Sequence, residues 1–214
     1  MGYFTIKNNA MAEFDEKKSI FIGHVKRVET ENDAKAFIDE IRGQYKDARH
    51  NVYAYIIGEN MGIQRYSDDG EPKGTAGIPV LEVMKKNEIT DSVVVVTRYF
   101  GGILLGAGGL ARAYSKGAAM AIKEAMIVEK VRGIALEAII DYDLLGKVQY
   151  LCGQNQWHIE DTAYTEAVSL KIYSESSIID EVERAFVEAT SGKVTLLRDD
   201  EKYYFKLDGR LYEA

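Results

Sequence analysis

A β-branched run that ends in an arginine, two aromatics and a cluster of glycines constrains this chain more than any other feature. The stretch is VVVVTRYFGGILLGAGGLARAY, Val93 to Tyr114. Six of the 19 glycines fall between Gly101 and Gly117, and an alanine-rich helical pattern follows. Glycine loses more conformational freedom on folding than other residues, so a cluster marks backbone that turns sharply or approaches something closely. Between a buried strand and a helix start, such a cluster gathers bare N–H groups at one surface spot, which is a ready anion site.

The 214 residues allow one large domain or two small ones. A 46% hydrophobic and 29% charged composition is that of an ordinary globular protein. Apolar runs such as Val93 to Val96 are too short to span a bilayer, and the start MGYFTIKNNAMAEF lacks the basic and long apolar segments of a signal peptide. The single Cys152 forms no internal disulfide, and no Cys/His cluster offers a zinc site. These points favour the cytoplasm. The net charge of −7 is unevenly spread. Residues 1–133 carry 19 Lys+Arg against 18 Asp+Glu, whereas residues 134–214 carry 8 against 16. Only the first part can present a basic patch to a phosphate backbone.

Hydrophobic periodicity predicts strands at Ser19–Val28, Asn51–Ile57, Gln64–Ser67 and Ser92–Tyr99, the last the most buried. It predicts helices from Thr30 to about Tyr45, from Gly77 to Lys86 and from Ala111 to Met126. Small residues in the last of these (Ala111, Ala118, Ala119, Ala125) suit close packing on a sheet. After a boundary near Arg132 to Ala135 the rhythm changes. A strand at Ile134–Asp141, a helix at Leu144–Asn155, strands at Trp157–Tyr164 and Ala167–Tyr173, a helix at Ser177–Ala189 and one strand or a broken pair in Lys193–Leu207 follow. That order is ferredoxin-like. The domains are therefore 1–133 and 134–214, with no flexible linker, low-complexity tract or repeat.

Several residues could carry chemistry. Gly106 to Ala111 fits the G-x-G-x-x-A dinucleotide pattern, but six residues, Phe100 to Leu105, separate it from the strand. Arg98 is a good phosphate or carboxylate ligand because its planar fork donates in pairs, and Tyr99 and Phe100 supply faces for stacking. The plainer reading pairs Arg98 with a nearby carboxylate and lets the glycines serve strand–helix packing. Asp68, Asp69 and Glu71, in the turn SDDGEPKGTAG, could hold Mg²⁺ through oxygen ligands, or could form a solvated acidic turn. Thr75 could cap the next helix. His50 suits acid-base work but has no motif-partnered nucleophile.

These pieces together resemble the IMPACT family and, within it, the bacterial YigZ-like members. The pattern runs from Gly77 through spaced aliphatics (Val80, Leu81, Met84, Ile89, Val95, Val96) to Arg98-Tyr99-Phe100-Gly101-Gly102, Leu105 and Gly106. Lys18-Ser19-x-Phe21, His50-Asn51 and Ser67 to Gly77 also fit, so the match covers roughly residues 13–126. The resemblance implies an α+β, two-domain protein. Its first domain would be ribosomal protein S5 domain 2-like, and its second ferredoxin-like, similar to the last domain of elongation factor G. Eukaryotic members restrain a stress kinase through an additional N-terminal domain with no counterpart in this sequence, so that role is not transferred.

The expectation is a cytoplasmic, non-enzymatic factor that binds RNA or the ribosome through the first domain and regulates translation, with no cofactor. His50, Asn51, Asp68, Asp69, Glu71, Thr75, Arg98, Tyr99, Phe100, Gly101, Gly102, Gly108 and Gly109 would line one phosphate or RNA cleft. One alternative is a Mg²⁺-dependent enzyme on a nucleotide or other phosphate-containing substrate, with Asp68, Asp69 and Glu71 as ligands. Another is a protein–protein adaptor acting through the acidic second domain. No membrane partner is expected.

Overall fold

The computed structural model describes residues 2–214, which divide into a unit at Tyr3–Val128 and a second made of Gly2 with Glu129–Ala214. The first unit contains β1 (Tyr3–Ile6), β2 (Ala10–Glu16), β3 (Ser19–Arg27), α1 (Glu31–Gln44), β4 (His50–Ile57), β5 (Ile63–Ser67), α2 (Gly77–Lys86), β6 (Ser92–Tyr99) and α3 (Gly106–Ala125). Strands β2, β3, β6, β4 and β5 lie side by side in that order, every pairing antiparallel.

The valine run owes its lack of alternation to its place. β6 is central and helices cover both of its faces. Val93 and Val95 pack with Phe37, Ile38 and Ile41 of α1, while Val94 and Val96 pack with Met84 of α2 and Ala121 of α3. A strand buried on both sides reads as a continuous apolar run rather than a period of two. Helix α1 starts where expected because the Thr30 hydroxyl accepts from the Asp33 amide at 3.1 Å, with Glu31 and Asp33 in the first turn.

Helix α3 begins at Gly106, five residues before the expected Ala111. Its contact with the sheet also differs in detail from expectation. Ala118 and Ala125 are buried, but Ala119 is exposed and Ala111 only half-buried. The close approach is made by Gly117 against Gly23 of β3. A Cβ on Gly23 would lie 2.3 Å from the Gly117 carbonyl oxygen, so backbone meets backbone there.

His24 points the other way, against the Tyr45 ring at 5.1 Å, with its Nε2 buried and unpartnered. Burial lowers this imidazole to about 4. The unfolded chain, with an ordinary histidine near pH 6.5, therefore binds the extra proton first. Stability is full above about pH 6.5 and declines as pH falls towards 4, by about 2–3 kcal/mol from this group. Urea midpoints at pH 7 and pH 5 should show a smaller acid loss in His24→Leu than in the wild type. Equal losses would refute the assignment.

The second unit contains most of β7 (Ile127–Ile140), then α4 (Leu145–Gln154), β8 (Ile159–Tyr164), β9 (Val168–Glu175), α5 (Ile179–Thr190), β10 (Thr195–Arg198), β11 (Lys202–Leu207) and β12 (Arg210–Glu213). Strands β10, β7, β9 and β8 are neighbours in that order, which with the β-α-β-β-α-β connectivity is ferredoxin-like. Leu136, Ala138, Ile140, Leu170 and Ile172 pack against Val148, Val182 and Phe186 of the two helices. The α+β, two-domain class is as expected. Strand β7 starts seven residues ahead of the expected Ile134, and β11 turns back on it as part of a hairpin with β12. Asp208 and Gly209, with φ of 50° and 80°, make the tight turn of that hairpin.

Candidate functional site

The site is built where β6 and β4 end together. Register pairs Arg98 with His50 on one side and with Phe21 on the other. All three lie on the sheet face that carries α2 and α3, because they alternate in phase with Val94, Val96 and Val52. Asn51 and Tyr99 fall on the opposite face. Asn51 accepts from the Thr97 hydroxyl at 2.7 Å, and the Tyr99 hydroxyl donates to Asp47 at 2.7 Å. That hydrogen bond, with some desolvation, raises the Tyr99 phenol to about 12.

The acidic turn folds over this end of the sheet, and each carboxylate has a different task. Asp68 accepts from the amides of Gly74 (2.8 Å), Ala76 (3.1 Å) and Gly77 (2.8 Å), so it caps α2 from a distance. Thr75, the expected cap, instead donates its hydroxyl to the Pro72 carbonyl at 2.7 Å. Asp69 accepts from Arg42 at 2.8 Å and from the Asn51 amide at 2.6 Å. Its carbonyl accepts from His50 Nδ1 at 2.8 Å. Among the described residues no three His, Cys, Asp or Glu side chains converge as a metal ligand set.

Glu71 goes inward. Its Oε1 accepts from Arg98 Nη1 at 2.6 Å and from the Tyr114 hydroxyl at 2.8 Å, with only 4% and 6% of the Glu71 and Arg98 side chains exposed. Burial first, and the Glu71 charge second, push the Tyr114 phenol well above its usual range, so it stays a donor. Arg98 also lies 5.4 Å from the Phe21 ring and 5.5 Å from the Phe100 ring. The buried guanidinium is thus neutralised by Glu71 and covered by aromatics. Arg98 pairs with a carboxylate, as the plainer sequence reading had it.

A cleft of about 370 Å³ opens above this floor. His50, Glu71, Arg98 and Phe100 line it, together with Arg49, Pro72, Leu104, Leu105, Gly106, Ala107 and Leu110, which were not among the expected cleft residues. Phe100 is 44% exposed and Leu104 84%, an apolar lip beside a charged floor. The start of α3 forms one wall. Its N-cap, Leu105, offers no side-chain bond, so the first-turn amides are left without a partner from their own helix. Gly108 belongs to that first turn. Gly109 belongs to a neighbouring depression beside Lys17, Arg112 and Lys116. Gly101 is structural in a direct sense, since a Cβ there would lie 1.8 Å from the Lys18 carbonyl oxygen. Gly102 has open space but a φ of +84°. Arg49 is adjacent to His50 in the sequence and could have been found; Leu104 carries no signal until the loop is folded.

Comparison with known proteins places the chain in a family. The Impact N-terminal domain matches residues 17–122, and a domain of unknown function (DUF1949) matches residues 139–193. The IMPACT family member YvyE of Bacillus subtilis is 40% identical over 213 residues, covering 100% of this chain and 98% of that protein. The IMPACT family member YigZ of Escherichia coli is 33% identical over 187 residues, covering 86% and 92%. A crystal structure of a hypothetical protein superposes with a TM-score of 0.60 at 30% identity, covering 94% of this chain and 98% of that one. No helix among the described residues is long and apolar enough to cross a membrane. With so much of its length matched by relatives of that kind, the chain belongs to the IMPACT family.

Proposed function

We propose that this protein is a cytoplasmic factor of translation that binds RNA, free or in the ribosome, by receiving one unstacked nucleotide in the cleft of the first unit. The observation that carries this reading is the meeting, in one cleft, of the exposed Phe100 ring, the Arg49 side chain and the uncapped start of α3. An aromatic face beside cationic and N–H donors suits a base and its phosphate, and stacking on such a face is tolerant of sequence. The phosphate contact falls to Arg49 and the α3 amides, because the Arg98 guanidinium already faces Glu71.

Fluorescence anisotropy with a labelled, unstructured RNA tests the reading. Binding should weaken as salt rises, since phosphate contacts release counterions. Phe100→Ala should weaken it about tenfold, as expected for the loss of one stacked base. Arg49→Ala should weaken it and flatten the salt dependence. Absence of binding by the folded protein at low salt would refute the proposal.

A further inference from the structure

We infer that the floor of this cleft recognises ribose hydroxyls, so that the nucleotide it takes is a ribonucleotide; this rests on the RNA-binding reading above. The argument concerns which lone pairs face the cleft. A carbonyl oxygen only accepts, so the 2.8 Å contact with Asp69 fixes the proton of His50 on Nδ1. With its proton on Nδ1, the imidazole presents Nε2 as an acceptor, and the charged group beside it is Glu71 Oε1 at 3.9 Å. Glu71 is itself one-sided. Both of its side-chain hydrogen bonds, from Arg98 and Tyr114, land on Oε1. Among the described residues Oε2 accepts none.

The neighbouring donors point elsewhere. Arg98 directs Nη1 to Glu71 and Nη2 to the Ser19 hydroxyl, and its Nε is sealed from solvent. Two acceptors, an imidazole nitrogen and a carboxylate oxygen, are therefore left on the floor. Such a floor repels phosphate and calls for O–H or N–H donors. A ribose carries adjacent hydroxyls, and a carboxylate reading a ribose hydroxyl is a device known from dinucleotide-binding folds. Deoxyribose would desolvate these acceptors without pairing the one opposite the 2′ position, and that asymmetry sets the discrimination.

The experiment compares one labelled single-stranded RNA, the DNA of the same sequence, and free AMP as competitor, on the full chain. The wild type should bind the RNA about tenfold more tightly than the DNA, the worth of one hydrogen bond to a polar floor. His50→Phe should lower RNA affinity more than DNA affinity, so that the RNA-to-DNA ratio falls towards one; a merely structural role for His50 would weaken both alike and leave the ratio as it was. Should that variant fail to fold, the RNA-to-DNA ratio of the wild type decides alone. Equal binding of RNA and DNA overturns ribose recognition and leaves the RNA-binding reading standing. Binding of neither polymer overturns the broader reading. Displacement of RNA by equimolar AMP supports ribose recognition with a free nucleotide as its source, and failure of AMP to compete assigns it to the polymer.

Discussion

Arg98→Met should destabilise the first unit by about 3–5 kcal/mol, because it leaves the Glu71 carboxylate buried without its cation. Tyr114 alone cannot neutralise a charge, though its hydroxyl still donates to Oε1. Glu71→Gln should cost less, because the amide oxygen still accepts from both donors, although the guanidinium then loses its counter-charge. The double variant Arg98→Met, Glu71→Leu should recover much of the loss, since apolar replacement of a buried ion pair is often neutral. Urea unfolding followed by far-ultraviolet circular dichroism measures this. The one tryptophan, Trp157, lies in the second unit and is stacked on Phe186, so its fluorescence follows the other core. If Arg98→Met loses less than about 1 kcal/mol, as an exposed pair would, Glu71 does not depend on Arg98 as its buried counter-ion.

Gly101→Ala should cost about 3 kcal/mol or more, the upper range for forcing extra atoms into a packed interior. The added Cβ would meet the Lys18 carbonyl oxygen at 1.8 Å, the Lys18 carbonyl carbon at 1.9 Å and the Ser19 nitrogen at 2.5 Å, all of them backbone atoms that no rotamer change can move aside. The next residue makes the control. Gly102→Ala meets nothing within 4 Å but must hold a φ of +84°, so its cost should be about 1–2 kcal/mol. The adjacent glycines are required for different reasons, one for space and the other for backbone angle. Unfolding midpoints of the two variants, measured side by side, should rank in that order; the reverse order would mean the β3–β6 end is looser than its contacts state.

Periodicity served well wherever burial is regular. Helix α2 and strand β6 fall on their expected limits, the helix because its buried residues keep one helical spacing and the strand because its apolar run is unbroken. Helix α3 was read too short because Gly106 to Gly109 carry no hydrophobic signal, and glycine is a poor helix former. Strand β12 was missed, though Asp208-Gly209 is a hairpin signal standing between Leu207 and Arg210. The cleft was legible in part. Arg98, His50, Glu71 and Phe100 were identified by residue type, and the fold brings them together. Their roles were not legible, because they depend on which carboxylate of the turn reaches inward. Asp68, Asp69 and Glu71 are alike in sequence, and only tertiary contacts distinguish a helix cap, a clamp and a buried counter-ion. Tyr99 and Asn51 face away because a strand turns alternate residues to opposite sides.

The clamp on Asp69 bears on how the protein ages. Where glycine follows aspartate, the unhindered glycine nitrogen can attack the aspartate's side-chain carboxyl carbon with loss of water, and hydrolysis of the resulting cyclic imide leaves an isoaspartyl link. In Asp69-Gly70 both carboxylate oxygens are held, one by Arg42 and one by the Asn51 amide, and so are turned from that reaction. Asp208-Gly209, exposed at a hairpin tip, lacks any such anchor among the hydrogen bonds of the described residues. The bonds that shape the cleft therefore also protect the Asp69-Gly70 turn over time, whereas the exposed Asp208-Gly209 turn has no such protection among the described residues.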